Sequence, residues 1–318
     1  MKKFIKPMAL LVVLLLSFSL LSACGGGSGT PASNAPTAAP TPAPSASAPA
    51  ASAPVAAQPA APAKPANRLE AILARGYVEV IMEPYFAPFQ FLDPSLPTDK
   101  QVVGSDVEFA KFIAEKLGVE CRVIPLEFSA VLAGVTEGKY DMAISGLAYK
   151  PDRAQAMSLS KGYFFNDDDE GHGLVIHKDN VGKINGPDDL KDKIVVAQSG
   201  SLQELFVTDQ LSGYKEYKRV SSTYDTFLSV SEKKADAGVT AISTVKLFIE
   251  ANPDCGLVVV PNFKFFQDET TLGARVGMPL GEPELTDKVN EIIDEVLKSG
   301  IYSKWYEEFT EYAKKLGV

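Results

Sequence analysis

Tyr77-Val78-Glu79-Val80-Ile81-Met82-Glu83 reads as a strand, apolar and β-branched for most of its length. Ser105-Asp106-Val107-Glu108 follows with the serine-to-glutamate spacing of a capping box, opening a helix through Leu117 that Gly118 stops. Arg122–Ile124 is again a strand. The alternation continues through a helix at Ala130–Thr136 and strands at Asp141–Ser145, Gly173–His177 and Ile194–Gln198. A helix at Leu202–Gln210 and a strand at Asp236–Thr240 follow. Near the end, Val289, Ile292, Ile293, Val296 and Leu297 form an apolar helical face, stopped by Gly300. Strands alternating with helices imply α/β layers around a largely parallel sheet.

Outward from this block the composition changes. The chain has 318 residues, 46% apolar and 22% charged, with a net charge of −9. The apolar share is ample for a core, and the acidic balance argues against binding a phosphate backbone. Lys2, Lys3 and Lys6 precede an apolar run from Met8 to Leu21 that ends in Leu21-Ser22-Ala23-Cys24. A positive start, a short apolar stretch and small residues at its end read as a secretory signal over residues 1–23. The run is shorter than the ~20 residues of a spanning helix. Residues 24–67 then read as Cys24 plus a disordered tether, and ten of the 22 prolines lie between Pro31 and Pro65. Such a segment buries too little apolar surface to offset its ordering entropy. Its polyproline geometry gives a reach on the order of 100 Å. The four lysines before Arg68, with no acid among them, leave the remainder of the chain at −13.

Signatures of catalysis and metal binding are scarce. His172 and His177, five residues apart on one strand, point to opposite faces and do not suit a shared metal. Asp167-Asp168-Asp169-Glu170 lacks calcium-loop spacing and reads as a solvated turn. The spacing of Cys121 and Cys255 indicates neither a disulfide nor a metal site, although a bridge between two thiols of an exported protein remains open. No cofactor is implied.

Several segments together resemble the family 3 extracellular solute-binding proteins, the amino-acid-type receptors of ABC importers. Pro84-Tyr85-Phe86-Ala87-Pro88-Phe89 resembles the family's aromatic-proline segment, and Val103-Gly104-Ser105-Asp106-Val107-Glu108 its Gly-Phe-Asp-x-Asp helix start, with Ser105 in place of Phe. Gly138-Lys139-Tyr140-Asp141, Ser145-Gly146-Leu147, Pro151-Asp152-Arg153, Ser160 with Tyr163, Gln198-Ser199-Gly200-Ser201 and the terminal Gly300-Ile301-Tyr302 with Trp305-Tyr306 follow in the family's order. Leu21-Ser22-Ala23-Cys24 resembles the bacterial lipobox, which implies cleavage before Cys24 and lipidation there. Two or more acyl chains hold a protein on a membrane, whereas one binds marginally.

The resemblance implies a two-lobed, type II periplasmic-binding-protein-like α/β fold with two hinge crossings. Residues 68–163 and 273–318 would form lobe 1, and 168–268 lobe 2. Ligand would bind between them by hinge closure, for delivery to a membrane permease; a monomer is the expected state. Arg153 matches the arginine that grips the ligand carboxylate, suited to a planar two-donor fork. Phe86 and Phe128 match two rings that sandwich the ligand side chain, and Glu83 matches an acid that contacts the ligand. Ser145 and Gly146 match a strand end offering backbone and hydroxyl groups. Gln198 and Thr240 match lobe 2 positions, and Ser201 and Leu202 open a helix whose free amides favour a carboxylate.

Two positions depart from the family pattern. Ala148 stands where Thr or Ser usually helps hold the carboxylate, and Ala241 where an Asp usually binds the α-ammonium. Either another acid substitutes, such as Glu83, or the ligand lacks the usual ammonium group. Asp236 matches an earlier, structural acid. Lys150 replaces a frequent Thr, adding positive charge for an anionic group or facing solvent. The expected function is a lipid-anchored, extracytoplasmic receptor for an amino acid or related small polar carboxylate, and not an enzyme. The alternatives are a ligand-sensing receptor without transport and a dehydratase-like enzyme on the same fold, for which Glu83 is the candidate acid.

Overall fold

The computed structural model describes residues 65–165 and 170–318. The expectations for the signal segment, for Cys24, for the tether up to residue 64 and for Asp167-Asp168-Asp169 lie outside the described residues.

The first half runs α1 (Arg68–Arg75), β1 (Tyr77–Met82), β2 (Tyr85–Phe86), β3 (Gln90–Leu92), β4 (Val102–Val103), α2 (Ser105–Leu117), β5 (Glu120–Pro125), α3 (Phe128–Thr136), β6 (Met142–Leu147), α4 (Pro151–Ala156) and β7 (Ser158–Phe164). There follow β8 (His172–His177), β9 (Ile194–Gln198), α5 (Leu202–Gln210), β10 (Glu216–Val220), α6 (Thr223–Ser231), β11 (Ala237–Ala241), α7 (Ile242–Ala251) and β12 (Leu257–Val259). The chain ends with β13 (Ala274–Met278), α8 (Pro283–Ser299) and α9 (Ile301–Leu316).

The expectation of a largely parallel sheet needs correction. There are two five-stranded mixed sheets, ordered β5-β1-β6-β13-β7 and β10-β9-β11-β8-β12, beside a small β2-β3-β4 sheet. In the first, β1 runs parallel to β5 and β6, with Val80 opposite Val123, while β13 is antiparallel to β6 and β7. In the second, β9 runs parallel to β10 and β11, while β8 is antiparallel to β11 and β12. Among the described strands, β13 and β8 are the ones that run against the rest of their sheets, and each is the first strand after the chain passes from one sheet to the other. Such strands arrive without a β-α-β crossover, so nothing forces them parallel.

Each sheet has its own core. Val78, Val80, Met82, Met142 and Ile144 pack with Phe109 and Ile113 of α2 and with Val289, Ile292 and Ile293 of α8. The opposite face of the first sheet carries Ile81, Ala143 and Leu147 against Val131 and Val135 of α3. In the second sheet Val195 and Ala197 face Phe206 and Val207 of α5, while Val196 faces Phe227 of α6 and Phe248 of α7. That two-residue alternation is the strand period, and helices on both sides make nearly every position of the inner strands apolar.

Local signals mostly act where they stand. Gly118 and Gly300 close α2 and α8 in left-handed conformations, with φ 70° and 63°. Two details differ from expectation. Leu297 lies off the buried face of α8, which Leu285 extends instead. The capping box at Ser105 does not form either: Gly104 is the cap residue, and the Ser105 hydroxyl turns inward to 3.0 Å from the Tyr302 hydroxyl. A Cβ on Gly104 would stand 2.2 Å from the Phe89 carbonyl oxygen, so this close approach sets where the helix begins. A capping box does form at α6, between Ser222 and Asp225.

Candidate ligand-binding site

A cavity of about 120 Å³ lies at the carboxyl ends of the parallel strands of both sheets. Glu83 follows β1, Ser145 and Gly146 belong to the end of β6, Gln198 ends β9 and Ala241 ends β11. Open parallel sheets leave a crevice there, where successive connections diverge to opposite faces.

Of the residues singled out from sequence, Glu83, Phe86, Phe128, Ser145, Gly146, Arg153, Gln198, Ser201 and Leu202 line this cavity. Thr240 does not. It is buried, and its hydroxyl lies 3.4 Å from the Ala241 carbonyl. Alternation along β11 gives the wall position to Ala241. Ala148 also lines the cavity.

Arg153 sits in α4 and is 5% exposed. Its Nη1 donates to the Ala148 carbonyl at 2.6 Å and its Nη2 to the Gly200 carbonyl at 3.0 Å, joining the two sheets' segments. The guanidinium lies 5.8 Å from the centre of the Phe128 ring. Burial lowers its pKa to about 10, so it remains charged at neutral pH. Lys150 does not face solvent, one of the two options its position allowed: it is buried, donates to Gly200 at 3.4 Å and pairs with Asp152 at 3.5 Å.

Glu83 is 1% exposed, and its Oε1 has no hydrogen-bond partner. Burial pushes its pKa up to about 8; the nearby Asp225 charge adds to this, while the Tyr85 amide and the Gln198 side chain oppose it. The Glu83 amide donates to Ser145 Oγ at 3.1 Å, and Gln90 Nε2 donates to the same oxygen at 3.2 Å. Gln198 also donates to the Ser221 carbonyl at 3.1 Å.

Phe86 stacks on Phe89 with centroids 5.0 Å apart and planes 5° from parallel, and Phe128 accompanies Arg153. Gly146 has φ 57°, and a Cβ there would meet the Phe86 ring at 2.8 Å. Its amide donates to Asp106 Oδ2 at 2.8 Å. Asp106 is fully buried and also accepts from the Tyr163 and Tyr302 hydroxyls at 2.7 and 2.6 Å. Burial raises its pKa to about 6 against the pull of those donors. The Ser201 hydroxyl is occupied as a cap, accepting from the Glu204 amide at 3.1 Å and donating to the Gln198 carbonyl at 2.6 Å. What remains for a ligand at this helix start is the backbone of Leu202 and Gln203.

Sequence reasoning missed Phe89, Tyr306, His172, Ser243 and Thr244, all on the cavity wall. Phe89 was visible in the aromatic-proline segment. Tyr306, which packs edge-on to Phe89 at 5.3 Å, stands in the terminal motif but far away in sequence. Among the described residues no group of three His, Cys, Asp or Glu is placed to hold a metal, Cys121 and Cys255 are free, and no helix is long and apolar enough to cross a membrane.

The profile of the bacterial extracellular solute-binding proteins, family 3, matches residues 78–312. The arginine-binding extracellular protein ArtP of Bacillus subtilis (strain 168) is 26% identical over 229 residues, 70% of this chain and 82% of the relative. Among solved structures, the amino acid ABC transporter substrate-binding protein AbpA from Streptococcus pneumoniae Canada MDR_19A, bound to L-arginine, is 31% identical with a TM-score of 0.68, covering 77% of this chain and 98% of that one. The ancestral amino acid-binding protein AncCDT-1, a precursor of cyclohexadienyl dehydratase, is 27% identical with a TM-score of 0.65, covering 77% and 100%. The two mixed sheets with the cavity at their strand ends are thus the type II periplasmic binding-protein fold, and the chain belongs to the bacterial extracellular solute-binding proteins, family 3.

Proposed function

We propose that this chain is the extracytoplasmic, substrate-binding lipoprotein of an ABC importer, held to the membrane through Cys24. It takes an amino acid or related small polar carboxylate into the cavity, and its two lobes close over the ligand. The observation that carries this reading is a buried arginine and a buried glutamate on the wall of one cavity, the glutamate with an unpartnered oxygen. Arg153 receives the carboxylate, Glu83 receives a hydrogen-donating group, and Phe86, Phe128 and Leu202 contact the body of the ligand. Ser145, Gly146, Gln198 and Ser201 shape the wall. Binding proteins named for amino acids among the relatives support the solute class. The neighbour described as a dehydratase precursor is itself named an amino acid-binding protein, which favours binding over turnover.

The test is a thermal-shift screen of amino acids, amines and organic acids, with calorimetry on the hits. Saturable binding of a carboxylate is expected, and Arg153→Ala weakens it by roughly a hundredfold, the scale of a charged hydrogen-bond pair lost from a buried site. Absence of binding across the screen, or unchanged affinity in the variant, overturns the assignment.

A further inference from the structure

The charge inventory of the cavity is short. Among the described lining residues, with histidine set aside, the one basic and the one acidic side chain are Arg153 and Glu83. Arg153 bonds two backbone carbonyls and no carboxylate, and Glu83 Oε1 is buried without a partner. The wall at the end of β11 offers Ala241, Ser243 and Thr244, with no acid. Lys150 is not among the lining residues; it bonds the Gly200 carbonyl and pairs with Asp152.

An ion enclosed in a closed cavity without an opposite charge loses its hydration and gains little in return, at a cost of several kcal/mol. A ligand's charges must therefore match those of the wall. One carboxylate satisfies Arg153 and one cation satisfies Glu83; among the described lining residues a second cation or a second carboxylate finds no further acid, lysine or arginine. We propose that the cavity selects a solute bearing one carboxylate and one cationic group, the carboxylate on Arg153 and the cation on Glu83, and discriminates against basic α-amino acids with two cations. This rests on the reading of the cavity as the ligand site.

The surroundings of Glu83 fit a cation arriving in place of a proton. The groups facing it are the Tyr85 amide from β2, Gln198 from β9, Asp225 from α6 and Ser145 from β6. No cation is among them, and burial with the Asp225 charge holds the carboxyl at about 8. In the empty cavity at pH 7 it keeps its proton, which an incoming cation displaces.

Calorimetry with the whole protein separates the outcomes. The panel sets 4-guanidinobutyrate and L-glutamine, each with one cation and one carboxylate, against L-arginine and L-lysine, each with a second cation. The tightest binder is expected in the first pair, by at least about tenfold over either basic amino acid. Titration at pH 7 in two buffers of different ionisation enthalpy is expected to show net proton release on ligand binding. Glu83→Gln should weaken that ligand at least about tenfold and abolish the proton release. L-Arginine or L-lysine as the tightest ligand, or unchanged binding in Glu83→Gln, overturns the single-cation assignment and leaves the solute-binding reading standing. No binding by any of the four, nor by any other common amino acid, overturns both.

Discussion

At the scale of single residues, Glu83 couples the stability of the fold to pH. Its ordinary pKa is 4.5, and burial, reinforced by Asp225, raises it to about 8 in the fold. Between those values the native protein holds a proton that the unfolded chain has released. Stability from this group is therefore fully retained below about 4.5 and falls as pH rises toward 8. Asp106, also raised by burial, to about 6, has the same sign but completes its change at lower pH, so the window from 6.5 to 8.5 isolates Glu83. Denaturation of the ligand-free protein across that window should show Glu83→Gln gaining on the native protein as pH rises, by several degrees in Tm at roughly 2–4 °C per kcal/mol for a unit of this size. A constant difference between the two proteins would mean that Glu83 is not held protonated by burial.

At the scale of elements, the start of α2 shows what a local pattern decides and what it leaves open. The serine-to-glutamate spacing at Ser105 and Glu108 correctly announced a helix, yet the box is not made. Gly104, with φ 138° and its α-carbon against the Phe89 backbone, takes the cap, and Ser105 is drawn to Tyr302, 197 residues away. By contrast β9 and α5 were legible to the residue, because apolar alternation and the Ser201 cap are both local. The mixed strand direction within each sheet was not, because antiparallel pairing of β13 with β6 and β7 joins segments more than a hundred residues apart. The same division runs through the site: family motifs marked Arg153, Glu83 and Gly146, while Tyr306 and Thr244 reach the wall through long-range packing. Urea denaturation of three variants tests this account of α2. Gly104→Ala should cost about 2–3 kcal/mol through strain and a backbone clash. Ser105→Ala should cost about 1 kcal/mol for a buried hydrogen bond, and Glu108→Ala, an exposed partner of Lys111, less than about 0.5 kcal/mol. A Glu108→Ala loss as large as that of Ser105→Ala would restore the capping box.

At the scale of the whole molecule, polar contacts between described residues join the two sheets across the cavity. Arg153 and Lys150, both beyond the end of β6, converge on the Gly200 carbonyl just before α5, at 3.0 and 3.4 Å. Glu83 faces Gln198, and the Tyr85 ring lies 6.2 Å from that of Tyr224. If the lobes close on ligand, these contacts set how far the empty protein already favours the closed arrangement, and a ligand carboxylate on Arg153 competes with Gly200 for the same guanidinium. Lys150 is the informative member because it bonds Gly200 without lining the cavity, so its removal alters closure and not ligand contact. At 3.4 Å its bond is long, contributing about 1 kcal/mol, which is roughly a fivefold shift between open and closed populations. Lys150→Ala should therefore raise the radius of gyration of the ligand-free protein in small-angle scattering and lower ligand affinity by no more than that factor. The ligand-saturated radius should match the native protein's, since binding then supplies the closing energy. An unchanged ligand-free radius with an affinity loss of a hundredfold would instead place Lys150 on the ligand, beside Arg153, as a second carboxylate contact.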